Sequence, residues 1–386
     1  MNDMNSMSSI NRVLYLLRLI WATGFSLVYN VLPSYLAKTF SALQISSIYS
    51  AYALPKLANI PCGWLADRIG KQRTLFLVFL CLPIVTFMFT LSEGVLHLAL
   101  MFFLIGLIGN FFHPTINALV TMFSEMKAEA LFRLEGMYQL GVVIGPVIGG
   151  LIMYNYGLDA AFYTWMLLSL AGLAASSFVL KEGAGPAIIR EKASHGLWGQ
   201  LGNNKSGFMV FLIAGSFLTG LFESVMVIAV PLYASGLGFS IAEVGAIMGA
   251  GAAISIFGLI VLGRKMESLG KENSLIITML LAGFSFLAMM FVSNLAGIAI
   301  LTGIFITGRA GGLNVARAFI SDNLHEDFMT TGMSISDMVQ YVARIVGPLF
   351  AGLLIDLFAI QSVFISVFAF SLLGTGLLMA YKAKSA

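Results

Sequence analysis

Twelve stretches of this chain are each apolar for about twenty residues, and short polar joints separate most of them. They fall near 13–37, 44–66, 74–92, 95–121, 131–154, 158–180, 207–234, 240–263, 273–293, 296–320, 330–356 and 359–381. An α-helix rises about 1.5 Å per residue, so ~20 apolar residues cross a hydrocarbon core of ~30 Å. Hydrocarbon offers the backbone no hydrogen-bond partners, and a helix satisfies its own. The spacing predicts an all-α membrane protein of twelve transmembrane helices. Hydrophobic residues make up 59% of the 386 and charged ones 10%, far below the ~25% charged of a soluble domain. A net charge of +3 suggests no nucleic-acid partner; the partner is lipid. Two cysteines, Cys62 and Cys81, are too few for a disulfide framework or metal site.

The long polar stretch is 181–206, read as a cytoplasmic linker between a six-helix half at 13–180 and another at 207–381. Residues 1–12 and 382–386 read as cytoplasmic tails, and no cleavable leader is evident. Arg12, Arg68, Lys71, Arg73, Lys127, Lys181, Arg190, Lys192, Lys205, Arg264, Lys265, Lys271, Lys382 and Lys384 fall on one side, and Lys38 stands almost alone on the other. Basic loops stay inside, so both termini are expected on the cytoplasmic face of a cell (inner) membrane. The halves also repeat. Gly63, Asp67, Gly70 and Lys71 recur as Gly263, Glu267, Gly270 and Lys271; Glu135, Gly145, Pro146 and Gly150 recur as Asp337, Gly347, Pro348 and Gly352; Pro33-x-Tyr35 recurs as Pro231-x-Tyr233. Three matches in the same order imply a duplicated six-helix unit with a pseudo-twofold along the membrane normal and a cavity between the halves.

The joint between the second and third runs, Gly63-Trp64-Leu65-Ala66-Asp67-Arg68-Ile69-Gly70-Lys71-Gln72-Arg73-Thr74, is a tight charged turn. Gly63 and Gly70 suit close backbone approach or positive φ, and Asp67 suits a cap or salt bridge at the next helix. This stretch resembles the loop 2–3 signature, motif A, of the major facilitator superfamily. Gly141-Val142-Val143-Ile144-Gly145-Pro146-Val147-Ile148-Gly149-Gly150 resembles the fifth-helix motif C of that family's twelve-helix drug:proton antiporters. Glycines four apart let helices pack closely and Pro146 kinks the span; packing alone is one reading. The resemblance implies a seal on one face of the cavity, and favours export.

Ionisable residues within membrane spans are costly and usually functional. Glu223 sits deep in the seventh run and is the first choice for proton coupling and substrate binding; a structural carboxylate neutralised by arginine is the alternative. Arg309 and Arg344 either line the cavity, where they suit a carboxylate or phosphate, or pair with Glu223 or Asp337. Arg317 reads as snorkelling. In the family, acids placed like Glu135 and Asp337 join gating networks, so Glu135 and Asp337 are read with Arg68 and Lys271 as cytoplasmic latches; Arg133 suits the first and Asp337 is a further proton candidate. Asn110, Asn314 and Tyr233 are candidate substrate ligands. His113 reads as a proton shuttle or as a hydrogen-bonded packing residue. Arg18, Lys56, Asn30, Gln139 and Gln340 are further polar residues within spans. The fourth run, Met101-Phe102-Phe103-Leu104-Ile105-Gly106, lacks the arginine that many drug antiporters carry there, and the first lacks a central acid. The usual proton route of the N-terminal half is therefore missing, and coupling is expected around Glu223.

No nucleotide-binding motif, metal cluster or catalytic triad stands in the sequence, so no cofactor, no metal and no enzymatic activity are expected. The expected function is secondary active transport by alternating access. The leading form is proton-coupled export, by a monomer, of a small amphiphilic or anionic compound, a drug or a secreted metabolite such as a carboxylate siderophore. Uptake or exchange of a small organic anion is the alternative.

Overall fold

A computed structural model of the chain describes residues 2–124, 126–181, 205–324 and 326–385, and every regular element in it is helical. In order these are α1 (Asn2–Tyr29), α2 (Leu32–Leu36), α3 (Ala42–Ala53), α4 (Asn59–Ile69), α5 (Lys71–Met88), α6 (Val95–Met122), α7 (Lys127–Tyr156), α8 (Leu158–Lys181), α9 (Lys205–Phe211), α10 (Thr219–Gly236), α11 (Ile241–Leu269), α12 (Lys271–Ala288), α13 (Leu295–Asn323), α14 (Glu326–Leu357) and α15 (Ile360–Ser385). Eleven helices among the described residues are long and apolar enough to cross a membrane. Their flanks expose large apolar side chains such as Phe132, Phe257 and Phe291, the surface that acyl chains solvate.

The run at 44–66 is the exception to the expected twelve. Pro55 has no N–H to give a helix ladder, and a 3-10 turn at Leu54–Ala58 divides the run into α3 and α4. Helix α6 accommodates the break. Gly106 leaves room for the Tyr52 carbonyl, and Asn110 Nδ2 donates to the Pro55 carbonyl. Helix α1 reaches back to Asn2, through the stretch read as a tail, because nothing between Asn2 and Asn11 is a proline or glycine. Helix α15 likewise runs through residues 382–385. The linker read at 181–206 lies, from 182 to 204, outside the described residues, and so does the Glu267 side chain.

The chain divides into two compact units. Over their described residues, one comprises Met1–Lys38, Ala51–Ile189 and Phe239–Gly249, the other Thr39–Ser50, Arg190–Gly238 and Ala250–Ala386. These differ from the sequence halves at two places, and glycines explain both. In the first unit, Gly150 leaves space for the Ile241 carbonyl and the backbone of Ala242 and Gly245, which seats the start of α11 on α7. In the second, Gly352 does the same for Ala42, Leu43 and Ser46 at the start of α3. There Asp356 adds a cap, its Oδ1 and Oδ2 accepting from the Ala42 and Leu43 N–H groups at 3.0 Å each, where the helix dipole favours an anion.

Within the first unit, α1 packs chiefly on α7 and α8. The seam is the glycine stripe. A methyl placed on Gly141 falls 2.6 Å from Ala22 Cβ, one on Gly145 falls 2.8 Å from the Thr23 carbonyl oxygen, and one on Gly149 overlaps the Leu27 carbonyl. The second unit repeats part of this contact, with Gly347 against Ser224 and Leu221 of α10.

The two charged joints are single-residue turns. Gly70, at φ 96°, separates α4 from α5, and Gly270, at φ 77°, separates α11 from α12. Thr74 N donates to the Gly70 carbonyl at 2.9 Å and Ser274 N to that of Gly270 at 3.0 Å. Gly63 meets neither expectation made of it: its φ is not positive and no atom stands within 4 Å of its missing methyl.

Gly149→Ala is expected to force α7 off α1 and to destabilise the protein by about 1–3 kcal/mol, the usual range for overpacking. Gly63→Ala is expected to leave stability unchanged or to raise it by up to about 1 kcal/mol. Thermal melts of the two variants in the same detergent check the contrast.

Candidate functional site

Three helices of the second unit meet at Glu223. Span seven supplies the acid through an irregular stretch. Residues Leu212–Leu218 are π-helical, and each π-turn holds one residue more than an α-turn, which resets the facing of whatever follows. Thr219 Oγ1 closes the transition by donating to the Gly215 carbonyl at 2.6 Å, and Glu223 follows one turn later on α10. Small residues then draw the neighbours in. A methyl on Gly220 falls 2.9 Å from the Gln340 carbonyl oxygen of α14, and one on Gly312 of α13 falls 3.2 Å from Thr219 Cγ2.

That approach lets Arg309 of α13 and Arg344 of α14 reach one atom. Arg309 Nη1 donates to Glu223 Oε2 at 2.7 Å and Arg344 Nη2 to the same oxygen at 2.6 Å. All three side chains are largely buried. The Arg344 guanidinium also lies 5.9 Å from the Tyr341 ring. Such charge-assisted bonds are strong in low dielectric, and removing one partner strands the others at a cost of several kcal/mol. Chemically, the cluster offers a carboxylate for a proton or a donor group, and two planar donors for an acid.

The other predicted site residues take separate places. Asp337 pairs with Arg317, whose Nη2 lies 2.7 Å from Asp337 Oδ1, so Arg317 has a carboxylate partner rather than only snorkelling. Lys271 pairs with Asp322 and donates to the Ala318 carbonyl. Lys71 pairs with Asp67 at 3.0 Å, and the Arg68 guanidinium lies 3.7 Å from the centre of the Trp64 ring. Arg73 is exposed, and Arg133 pairs with Glu129. The structure thus sets the latch acids on partners other than those expected, Asp337 on Arg317 and Glu135 on Arg18. Tyr233 donates to the Val292 carbonyl at 3.1 Å and abuts Phe364, ten residues and about 15 Å along α10 from Glu223. Asn314 is exposed, five residues beyond Arg309 and so about 140° further round α13. Asn110 is taken up by the Pro55 turn.

A second charged cluster stands in the first unit. Arg18 of α1 reaches His113 Nδ1 of α6 at 2.6 Å and Glu135 Oε2 of α7 at 3.3 Å, and its guanidinium lies 4.5 Å from the Tyr138 ring centre. Gln139 Nε2 donates to the other Glu135 oxygen at 3.0 Å. Sequence reasoning noted Arg18 only among polar residues within spans. Its signal was an always-charged side chain in an apolar run, which must find acceptors on neighbouring helices.

Comparison with known proteins agrees with this architecture. The family model described as Major Facilitator Superfamily matches residues 14–344. The multidrug resistance protein MdtG of Proteus mirabilis is 24% identical over 360 residues, covering 88% of each chain, and that of Yersinia enterocolitica 26% over 364 residues, covering 88% of this chain and 85% of its own. Among solved structures, a bacterial homolog of the human lysosomal transporter Spinster, inward-facing and unoccupied, superposes with a TM-score of 0.80 at 13% identity, covering 97% of this chain and 96% of that one. A point mutant of the nucleoside transporter NupG does so at 0.76 and 13%, covering 96% and 99%. The chain is a multi-pass membrane transporter, not an enzyme, and it belongs to the Major Facilitator Superfamily.

Proposed function

We propose that the protein is a proton-coupled exporter of small amphiphilic compounds, working by alternating access, with Glu223, Arg309 and Arg344 at its substrate- and proton-responsive centre. The observation that carries this reading is the single carboxylate oxygen held between two guanidinium groups inside the second unit. A proton on Glu223 discharges the carboxylate and loosens its hold on both arginines, so protonation and the set of groups offered to a substrate change together. The likeness to proteins named for multidrug resistance supports export. In this reading the broken run at 44–66 is the twelfth span, the two halves are six-helix bundles, and the basic joints and both termini face the cytoplasm of a cell membrane. Motif C glycines serve as the helix seam that tightens when one face closes.

The same clamp favours a second reading. Protonating Glu223 loosens two charge-assisted bonds at once, so that an acidic substrate and the proton can bind together, which drives an organic anion inward with protons. The two readings differ in direction. In inside-out vesicles energised with an acid interior, an exporter accumulates an amphiphilic dye, and a proton–anion cotransporter does not.

Glu223→Gln keeps the shape but cannot ionise, and is expected to abolish the pH dependence of dye transport while the protein still folds; unchanged coupling removes Glu223 from the role. Arg309→Ala and Arg344→Ala are each expected to weaken transport of an anionic dye at least about tenfold, the scale of one charge-assisted bond, and a neutral dye far less. Equal losses for both dyes, measured as initial rates in proteoliposomes, assign the arginines to structure.

A further inference from the structure

Arg18 is buried, with its side chain 8% exposed, and its principal partner is not a carboxylate. Nη1 lies 2.6 Å from His113 Nδ1, whereas Nη2 lies 3.3 Å from an oxygen of Glu135, whose side chain is 54% exposed. A guanidinium carries five donors and no acceptor and does not deprotonate. His113 Nδ1 must therefore be the acceptor. The ring is neutral, its one proton stands on Nε2, and the lone pair that Arg18 occupies is the lone pair an incoming proton would take.

The geometry points to a proton-binding site in the first unit, at which a proton and Arg18 compete for His113 Nδ1, so that protonation transfers Arg18 from α6 to Glu135 on α7. This inference rests on the reading of the chain as a proton-coupled transporter and places a coupling residue apart from Glu223. The bookkeeping is simple: one N–H bond forms at Nδ1, the Arg18–His113 hydrogen bond is lost, and the slack 3.3 Å contact to Glu135 is the one available to shorten.

The surroundings fix which group moves. The His113 ring is braced by aromatic edges, 5.7 Å from Trp21 of α1, 5.4 Å from its neighbour Phe112 and 6.5 Å from Tyr138 of α7. Trp21 is itself stacked on Phe112 at 4.2 Å. The charged and titratable groups facing this ring are Arg18 from α1, Glu135 and Tyr138 from α7, and Lys56 from the 3-10 turn. Lys56 Nζ lies 2.9 Å from the methyl position of Gly109, one turn before His113. A protonated ring therefore makes a third cation beside Arg18 and Lys56, with Glu135 the one carboxylate of this set. Repulsion drives the long guanidinium side chain toward that carboxylate, while the ring stays in its brace. The tie between α1 and α6 is thereby broken and one between α1 and α7 strengthened.

Histidine nitrogen NMR on the full chain in nanodiscs, with the His113 signal identified by its loss in His113→Gln, reads the starting state directly. The expected result at neutral pH is a bare Nδ1 with the proton on Nε2, a preference that Arg18→Met removes. In proteoliposomes, His113→Gln keeps an acceptor for Arg18 that does not titrate. Its dye transport is expected to lose the roughly tenfold change that one titrating group produces between about pH 5 and 8. A proton found on Nδ1 in the unsubstituted chain, or a His113→Gln profile that overlays the original, overturns the proposal. Failure of Glu223→Gln to alter coupling strikes the export centre alone and leaves the His113 tautomer result standing.

Discussion

A guanidinium keeps its charge at any accessible pH, so inside a membrane it must be met by acceptors from neighbouring helices. Most of what is particular about this chain follows from that constraint. Arg309 and Arg344 are met by Glu223, Arg317 by Asp337, and Arg18 by His113 and Glu135. Small residues bring some of these helices close: Gly220 against Gln340 and Gly312 against Thr219 around Glu223, and Gly141 and Gly145 against Ala22 and Thr23 between α1 and α7. Close packing in lipid lacks a hydrophobic drive between helices and depends on such surfaces. The glycine seams and the charge clusters are one design, the first supplying the distance at which the second can exist.

The two units answer the constraint with different chemistry. In the second, one carboxylate oxygen takes a charge-assisted bond from each of two guanidinium groups. In the first, the closest acceptor is an uncharged imidazole, and the carboxylate stands further off and more exposed. The two units thus meet their buried arginines with unlike chemistry, a carboxylate in one and an imidazole with a more distant carboxylate in the other.

The plan itself was legible because it rests on composition over long windows and on backbone requirements that few residues meet. Eleven of twelve apolar runs appear as helices within a few residues of their sequence limits. The repeat of Gly70 in Gly270 holds down to the sign of φ and the hydrogen bond that starts the next helix. The break in the second run is not legible from apolar composition, because the missing N–H of Pro55 and the Asn110 side chain on α6 decide the local structure. Pairing partners were less legible. Sequence places Glu135 and Arg68 near one end of the bundle, but which arginine an acid meets depends on rotation about the helix axis. In this structure Glu135 meets Arg18, and Arg68 lies over Trp64. Gly63 shows the converse: a residue with a strong family resemblance has no steric need in this structure, where α4 passes it in open space.

Helix α4 is held very differently at its two ends. At Gly70 one residue joins it to α5, with hydrogen bonds on both sides of the turn. At the other end lies the Leu54–Ala58 turn, where proline interrupts the ladder and a side-chain amide stands in for a backbone donor. One end of α4 is thus set by a glycine turn, and the other by an imino acid whose carbonyl is bound by a single asparagine on the adjoining helix.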